Sequence, residues 1–475
     1  MYKSKILKLS MLFLVVILIV SFSLFGCKEE ATPTEEVAEE TSTEEATEET
    51  STETTEEVKA PEEEVTLDLW FQDWEGGANW TRDWVEVFEE NYPKINIDVT
   101  FLPFEEINTK LFPAIAAGNE SDLMFFYDEW LLGKDASKFF GAVTPDLYSY
   151  DEVKEVTFET AISRTTGSDG ELYAIPWGTG SNAAGILYHK DLVEEEGIDI
   201  TSIETWDDLK DVAKKLTKYD EDGKIERSGI LFTYHEIAYT FLDMIAAQGA
   251  ADKLLNTETG EWNFNIPEAK KALEFINSFV EDNIFDPQSG DAFTAFPNKI
   301  GAMFLVGPWG LGAWGAQYPD LELDYKYMPL FPGTERNVHT TVSWGSMAYS
   351  KRLEGSEKDA ALIFLKEILE NEEFYNLPFR NDYWVGTPGS KVFLDNLVQK
   401  VEEGNSPSEK AEITARFAPQ YVANIDLLPT KVSEPELIRA TIYPEMVSVF
   451  IGEKTVDEAL DYLTATCTNL EQEKM

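Results

Sequence analysis

Hydrophobic and polar positions change period in an ordered way along residues 65–127. Two segments alternate as strands do, and two repeat their apolar residues every three or four positions as helices do. The last segment is apolar throughout, which is typical of a strand covered on both faces. The order is strand 65–71, helix 80–92, strand 95–101, helix 104–115 and strand 123–127. This β-α-β-α-β unit predicts an α/β fold with a doubly wound, mostly parallel sheet.

Further helices carry clear N-terminal signals. Thr205 with Asp208 and Thr455 with Glu458 have the spacing of a capping box, and each pair precedes a helical apolar pattern. Residues 360–369 predict another helix. Ligands of open α/β sheets bind beyond the carboxyl ends of the strands. A binding site is therefore expected in the loops that follow the strands predicted at 65–71 and 123–127.

Residues 1–26 are predicted to be a secretory signal peptide rather than part of the fold. Three lysines at positions 3, 5 and 8 precede an apolar run that ends at Gly26-Cys27, a sequence that looks like a bacterial lipobox. The small Gly26 suits the peptidase, and the Cys27 thiol would then carry the lipid. The alternative is a plain signal peptide followed by an incidental cysteine.

Composition changes sharply after the signal. Residues 27–64 are rich in Glu and Thr and contain few large aliphatic side chains, so we predict a disordered acidic tether. The whole chain has a formal net charge of −51. Nucleic-acid binding requires a basic stripe and is excluded, and anionic lipid is disfavoured for the same reason. The lipid anchor is then the only membrane contact that we expect.

The sequence contains no complete motif of an enzyme, a metal site or a nucleotide site. It contains no GxSxG, HExxH or CxxC, and its three histidines are far apart. Residues 310–315 spell GxGxxG, but the acidic residue that would hold a ribose about twenty positions later is missing. We therefore expect no catalytic residue, no metal and no cofactor. A secreted glycoside-active enzyme stays an alternative, because it too combines loop aromatics with paired carboxylates.

Segments along the chain, among them Gly170–Pro176, Ile186–Leu192 and Thr205–Leu209, resemble the family 1 extracellular solute-binding proteins. They occur in the order found in that family and are spread over nearly the whole chain from Val65 onward. The most specific of them join a loop that ends in Ile-Pro to the strand and the capping box that follow. The matching segments are Gly170–Pro176, Ile186–Leu192, Thr205–Leu209, Phe296–Met303, Gly307–Trp309 and Thr455–Leu460.

The resemblance implies a two-lobe periplasmic-binding-protein fold of type II, in which each lobe is a doubly wound, mostly parallel sheet and the ligand cleft lies between the lobes. Lobe one would comprise residues 65–178 and 341–378, and lobe two would comprise residues 179–340 and 379–475. Closure of the lobes on a ligand would create the form that a transporter recognises.

The resemblance also implies a function. The chain would be an extracytoplasmic, monomeric protein, held at the membrane of the cell surface or periplasm by lipidated Cys27. It would capture a carbohydrate, in our expectation an oligosaccharide, and deliver it to the permease subunits of an ABC transporter. A non-sugar solute and a structural surface lipoprotein are the alternatives outside enzymology.

Aromatic and acidic residues are concentrated in the loops where a cleft is expected. Sugars present C–H faces that stack on aromatic rings and hydroxyls that bond to carboxylates, so these residue types predict a sugar site. The predicted residues are Asp73, Trp74 and Glu75 after the first strand, and Phe126, Asp128, Glu129 and Trp130 around the end of the third.

Four more tryptophans complete the predicted site, namely Trp177, Trp309, Trp344 and Trp384. The family resemblance implies ring-stacking aromatics near Trp177 and Trp309. Any of the four could instead pack in the core. Trp70, Trp80, Trp84 and Trp206 are assigned to the core because they fit strand or helix periodicity.

Overall fold

The computed structural model describes residues 58–180, 182, 184–381 and 383–475. The predicted signal peptide, Cys27 and the tether up to residue 57 lie outside the described residues, as does the side chain of Glu75. Within the described ranges, no helix combines the length and the apolar character that a membrane span requires.

The opening β-α-β-α-β unit is confirmed. Apolar alternation produces the first two strands, and the glycine at position 118 ends the second helix in the left-handed conformation, at φ 68°. The elements are β1 Val65–Gln72, α1 Glu75–Asn91, β2 Ile95–Leu102, α2 Phe104–Ala117 and β3 Leu123–Tyr127.

The remaining elements follow in chain order. Both predicted capping boxes are present, at the starts of the helices that begin at Trp206 and Val456. The elements are α3 Tyr150–Val156, α4 Glu159–Ile162, β4 Ile175–Thr179, β5 Gly185–His189, α5 Lys190–Glu195, α6 Trp206–Leu216, β6 Lys218–Tyr219, β7 Ile225–Leu231, α7 Glu236–Ala247, α8 Ala251–Leu254, β8 Leu255–Asn256, β9 Glu261–Trp262, α9 Pro267–Glu281, α10 Ala292–Ala295, β10 Gly301–Leu305, α11 Trp309–Gln317, β11 Leu323–Tyr327, β12 Gly345–Tyr349, α12 Gly355–Glu370, α13 Glu372–Arg380, β13 Thr387–Pro388, α14 Lys391–Glu402, α15 Glu409–Ala423, α16 Tyr443–Phe450 and α17 Val456–Lys474. A π-helical segment, Pro435–Ile442, precedes α16.

Two main sheets organise these elements. The first has the strand order β13-β4-β12-β3-β1-β2, and the second has the order β11-β5-β10-β7-β6. The chain passes from the first sheet to the second between β4 and β5, and it returns between β11 and β12. Each sheet has its own apolar core, so each forms a lobe.

Both sheets are mixed, which corrects the prediction of mostly parallel sheets. In the first sheet only the β1–β2 and β1–β3 pairs are parallel, and in the second only β7–β10 is parallel. The reason, for the first sheet, lies in the places where the chain crosses between the lobes. Strands β1, β2 and β3 end at the edge facing the other lobe, whereas β12 begins at that edge because its chain arrives from the other lobe. It must therefore run against β3, with which it pairs.

The first sheet is covered on both faces, as the apolar run at 123–127 predicts. Leu123 and Phe125 of β3 belong to one apolar cluster, and Met124 and Phe126 belong to another on the opposite face. Nearly all side chains of β3 therefore pack in the core. Only its carboxyl-terminal half, from Phe125 on, also reaches a cavity.

The structure differs from the predicted lobe limits at one place. The prediction assigns everything after residue 378 to lobe two, but β13 pairs with β4 in the first sheet. Two short strands that lie side by side satisfy each other's backbone groups, so this segment stays with lobe one. The other limits stay a prediction.

Candidate ligand cleft

A cavity of about 590 Å³ lies between the two lobes. Its first wall comes from the carboxyl ends of β1, β3 and β4 with the start of α2, and its second wall comes from the loop after β7, from α10 and from the start of α11. The lining residues are Gln72, Trp74, Phe104, Glu105, Phe125, Tyr127, Glu129, Trp177, Gly178, Gly180, Asn182, Tyr234, His235, Glu236, Phe293, Trp309, Ala313, Ser343, Trp384 and Arg439. The position agrees with the rule that places ligands beyond strand carboxyl ends.

Trp74 stands at the mouth of the first wall, where it precedes the first turn of α1. Its indole lies directly on the backbone of Gly76 and Gly77, because a Cβ at Gly77 would come within 2.2 Å of the ring. The two glycines therefore permit a tryptophan to fold back over the start of its own helix. The ring also meets Trp177 edge to face at 6.3 Å.

Trp177 and Trp384 reach the cleft from within the core of lobe one. The Trp177 ring lies 3.8 Å from that of Trp80 and 5.7 Å from that of Trp384. Only 4% of Trp177 and 2% of Trp384 are exposed. Each contributes one edge to the cavity, and packing fixes the position of that edge.

The second wall is built around Trp309, the first residue of α11. Its indole Nε1 donates to Glu236 Oε1 at 2.9 Å, and the backbone N–H of Gly307 donates to Glu236 Oε2 at 2.6 Å. Its ring is nearly parallel to that of Phe293, with centroids 6.0 Å apart. Phe293 is 38% exposed at the rim of the cleft.

The floor of the cleft contains a buried carboxylate, Glu129, which is 5% exposed. Burial, and then repulsion from Glu434 and Asp128, hold the pKa of Glu129 well above its ordinary range, against a hydrogen bond from Ser343. Glu129 belongs to lobe one, whereas Glu434 precedes the π-helical segment in the part of the chain that packs on lobe two. The two carboxylates therefore repel each other across the interface between the lobes.

Asp128 lies beside Glu129 but has a structural role. It is fully buried, and its Oδ1 accepts from the Trp344 backbone N–H at 2.7 Å while its Oδ2 accepts from Arg164 at 3.2 Å. Burial raises the pKa of Asp128 to about 6, although Arg164 opposes the rise. These bonds tie the end of β3 to the segment that returns from lobe two.

Five of the eleven predicted residues line the cavity: Trp74, Glu129, Trp177, Trp309 and Trp384. Asp73 is exposed outside it, and the side chain of Glu75 lies outside the described residues. Phe126, Asp128, Trp130 and Trp344 are buried away from it. Trp344 stacks on Phe158 at 5.6 Å, and Trp130 packs edge to face against Phe104 and Tyr127. The three residues after β3 differ because Asp128–Leu131 form one 3-10 turn, whose successive side chains point in different directions, so that only Glu129 of the three lines the cavity.

Several lining residues were not predicted. Tyr234, His235 and Glu236 follow β7 just as Glu129 follows β3, so the strand-end rule could have found them. Arg439 has no such signal, because a π-helical segment far along the chain brings it to the floor. In the described ranges, no group of His, Cys, Asp and Glu is arranged to hold a metal ion.

Comparisons with known proteins agree on a family. The family model described as bacterial extracellular solute-binding protein matches residues 73–373. The arabinooligosaccharide-binding protein of Bacillus subtilis is 24% identical over 264 residues, which are 52% of this chain and 56% of that protein.

Solved structures agree on the fold. Maltose-bound MalE3 of T. maritima has a TM-score of 0.66 at 19% identity, and the match covers 86% of this chain and 100% of that one. An ABC substrate-binding protein of Listeria monocytogenes in complex with cycloalternan has a TM-score of 0.66 at 20% identity, covering 86% and 99%. The predicted two-lobe periplasmic-binding-protein fold is thus confirmed.

Replacement of Asp128 should test its structural role. Asp128→Ala would leave Arg164 buried without its partner and the Trp344 N–H without an acceptor, so we expect a loss of about 3–5 kcal/mol of unfolding free energy. Asp73→Ala removes an exposed carboxylate in the loop after β1, and it should change the unfolding free energy by less than about 0.5 kcal/mol. Urea unfolding followed by circular dichroism measures both. Equal stability of the two variants would contradict the structural assignment.

Proposed function

The chain belongs to the bacterial extracellular solute-binding proteins, and we propose that it captures a carbohydrate in the interlobe cleft and delivers it to an ABC importer. The observation that carries the proposal is the lining of the cleft. Both walls present aromatic rings, among them Trp74, Trp309 and Phe293, with carboxylates and amides between them. Sugars combine C–H faces with hydroxyls, and such a lining offers a partner for each.

The relatives support a saccharide over other solutes. One is named for arabinooligosaccharides, and the two solved structures hold maltose and cycloalternan. The cavity is within the range of small-molecule sites, roughly 300–1,000 Å³, so a short oligosaccharide is the ligand that we propose. The named relatives are binding proteins rather than enzymes, and we propose that this chain likewise releases its ligand unchanged.

The location follows from the family, whose members are extracellular. We propose further that Cys27 carries the lipid that holds the protein at the membrane, with residues 28–64 as the tether. Cys27→Ser should move the protein from the membrane fraction to the soluble fraction of the envelope. Unchanged partitioning into detergent would contradict lipidation.

Ligand binding should be tested with tryptophan variants after a thermal-shift screen over neutral mono- and oligosaccharides has found the tightest ligand. Trp309→Ala should weaken the binding of that sugar by about 1–3 kcal/mol, because it removes a stacking face. Trp344→Ala should leave affinity nearly unchanged and lower the unfolding free energy by about 3–5 kcal/mol, because Trp344 is buried. Calorimetry and urea unfolding measure the two quantities.

The opposite assignment of the two tryptophans would contradict the proposed site. Failure of every saccharide to raise the unfolding temperature would contradict the carbohydrate function itself. Chromatography of the bound sugar after incubation separates binding from cleavage, since an enzyme would release shorter products.

Closure of the two lobes should depend on Gly312. The helix α11 of lobe two contacts α1 of lobe one, and a Cβ at Gly312 would lie 3.1 Å from the carbonyl oxygen of Tyr383, which packs with lobe one. Gly76 of α1 approaches the same carbonyl oxygen. A side chain at position 312 would therefore push the lobes apart, and a ligand that contacts both lobes needs them together.

Gly312→Val should weaken sugar binding roughly ten- to a hundredfold, since overpacking costs about 1–3 kcal/mol. Gly315→Val is the matched control, because it is in the same helix and a Cβ there meets nothing within 4 Å. Small-angle scattering of both variants with saturating sugar measures compaction. Equal affinity and equal compaction of the two variants would show that this contact does not limit closure.

A further inference from the structure

Basic side chains are scarce around the cleft. Of the cleft-lining residues that the structure describes, Arg439 and His235 can carry a positive charge, whereas Glu105, Glu129 and Glu236 are acidic. A ligand carboxylate that enters the cleft loses its water and needs a cation or several donors in return. The state of the two basic residues therefore decides whether an acidic sugar can bind.

Arg439 is already paired with a carboxylate of the protein. Its Nε donates to both carboxylate oxygens of Glu434, at 3.0 and 3.1 Å. Glu434 is 2% exposed and also accepts a hydrogen bond from Tyr239. The Arg439 guanidinium further lies over the ring of Phe104, 5.0 Å from its centroid. Its positive charge is thus neutralised, and one of its faces is covered.

His235 supplies no charge either. The ring is buried and lies 3.9 Å from the ring of Tyr234. Burial, and then the nearby charge of Arg439, lower the pKa of His235 to about 2. A neutral imidazole offers one donor and one acceptor, which suits a hydroxyl but does not balance a carboxylate.

The carboxylates at the floor of the cleft also disfavour an anionic ligand. Asp128 already holds Arg164 through an ion pair of 3.2 Å. Arg164 also attracts Glu129, but the repulsion of Glu129 by Glu434 is larger. If Glu129 is ionised, it repels a ligand anion. If it is protonated, it offers one hydrogen-bond donor and no positive charge.

We propose that the cleft selects uncharged saccharides and rejects acidic ones such as uronates. This inference rests on the carbohydrate function proposed above. Hydroxyls of a neutral sugar need only single hydrogen bonds, and the lining provides groups for them. One is the Gln72 amide, whose Oε1 is buried and has no hydrogen-bond partner within the described part of the chain. Glu434 sets the selectivity, because it cancels the charge of Arg439.

The test compares matched pairs of sugars. The probes are neutral trisaccharides of glucose, galactose, mannose and arabinose, each beside the form in which its primary hydroxyls have been oxidised to carboxylates. The tightest neutral trisaccharide should bind at least about tenfold more tightly than its oxidised form, because the carboxylate loses water without gaining a counter-charge. Calorimetry at 1 M NaCl removes repulsion from the net charge of the whole chain, since the Debye length is then about 3 Å.

Glu434→Gln tests the proposed cause. It keeps the size and one acceptor oxygen but leaves the Arg439 charge uncancelled, so the preference for the neutral sugar should shrink by about tenfold. Glu436→Gln is the matched control, because it removes one negative charge two residues away and Glu436 does not line the cleft. That variant should keep the preference of the unchanged protein. Thermal unfolding confirms that each variant is folded.

Three outcomes would overturn the proposal. Equal or tighter binding of the oxidised form by the unchanged protein would contradict the selectivity while leaving the carbohydrate function intact. A folded Glu434→Gln variant with an unaltered preference would contradict the role of the Arg439 charge. If neither these trisaccharides nor any other saccharide, neutral or acidic, binds, the proposed function fails and this inference fails with it. The comparison in the unchanged protein does not depend on the folding of any variant.

Discussion

The carboxylate of Asp128 is the contact on which the arrangement of the cleft depends. It joins the end of β3 to the Trp344 backbone and to Arg164, so it fixes the place where the chain re-enters lobe one. Glu129, which follows Asp128, and Ser343, which precedes Trp344, then meet at the floor of the cavity. A buried carboxylate is destabilising unless it is paired, and here hydrogen bonds from the Trp344 backbone N–H and from the Arg164 guanidinium compensate. The cavity is thereby shaped by a group that does not itself line it.

Packing also explains why the cleft is rigid where it is aromatic. Trp177 packs against both Trp80 and Trp384, and the Trp74 ring lies on the backbone of Gly76 and Gly77. Such rings have no free rotamers to lose when a sugar stacks on them, so little conformational entropy opposes binding. The same packing makes these tryptophans part of the core of lobe one. A tryptophan therefore need not belong either to the core or to the cleft. One edge of its ring can pack in the core while the other edge lines the cavity.

The sequence predicts the fold better than the site. Apolar period, two capping boxes and Gly118 locate the first five elements and the helices at 206 and 456, because each depends on neighbours in the chain. The sense of the strands in the sheets depends instead on where the chain crosses between lobes, which no local pattern encodes. The same limit applies to the site. A strand-end loop predicts that a residue such as Glu129 lies near the cleft, but the turn decides that Glu129 faces it while Asp128 and Trp130 turn into the protein.

The long-range contacts of the floor complete this argument. Arg439 lies over Phe104 of lobe one and pairs with Glu434, and the same Glu434 acts on Glu129 across the interlobe interface. The contact of Arg439 with Phe104 exists only when both lobes are close, so part of the free energy that favours closure is present before a ligand binds, whereas the repulsion between Glu434 and Glu129 opposes closure. Because Arg439 and Glu434 are paired with each other, closure buries no unbalanced charge at Arg439. In the proposed function a neutral sugar then contacts the aromatic and polar lining and needs no counter-charge from the ionic part, because Arg439 is already balanced by Glu434.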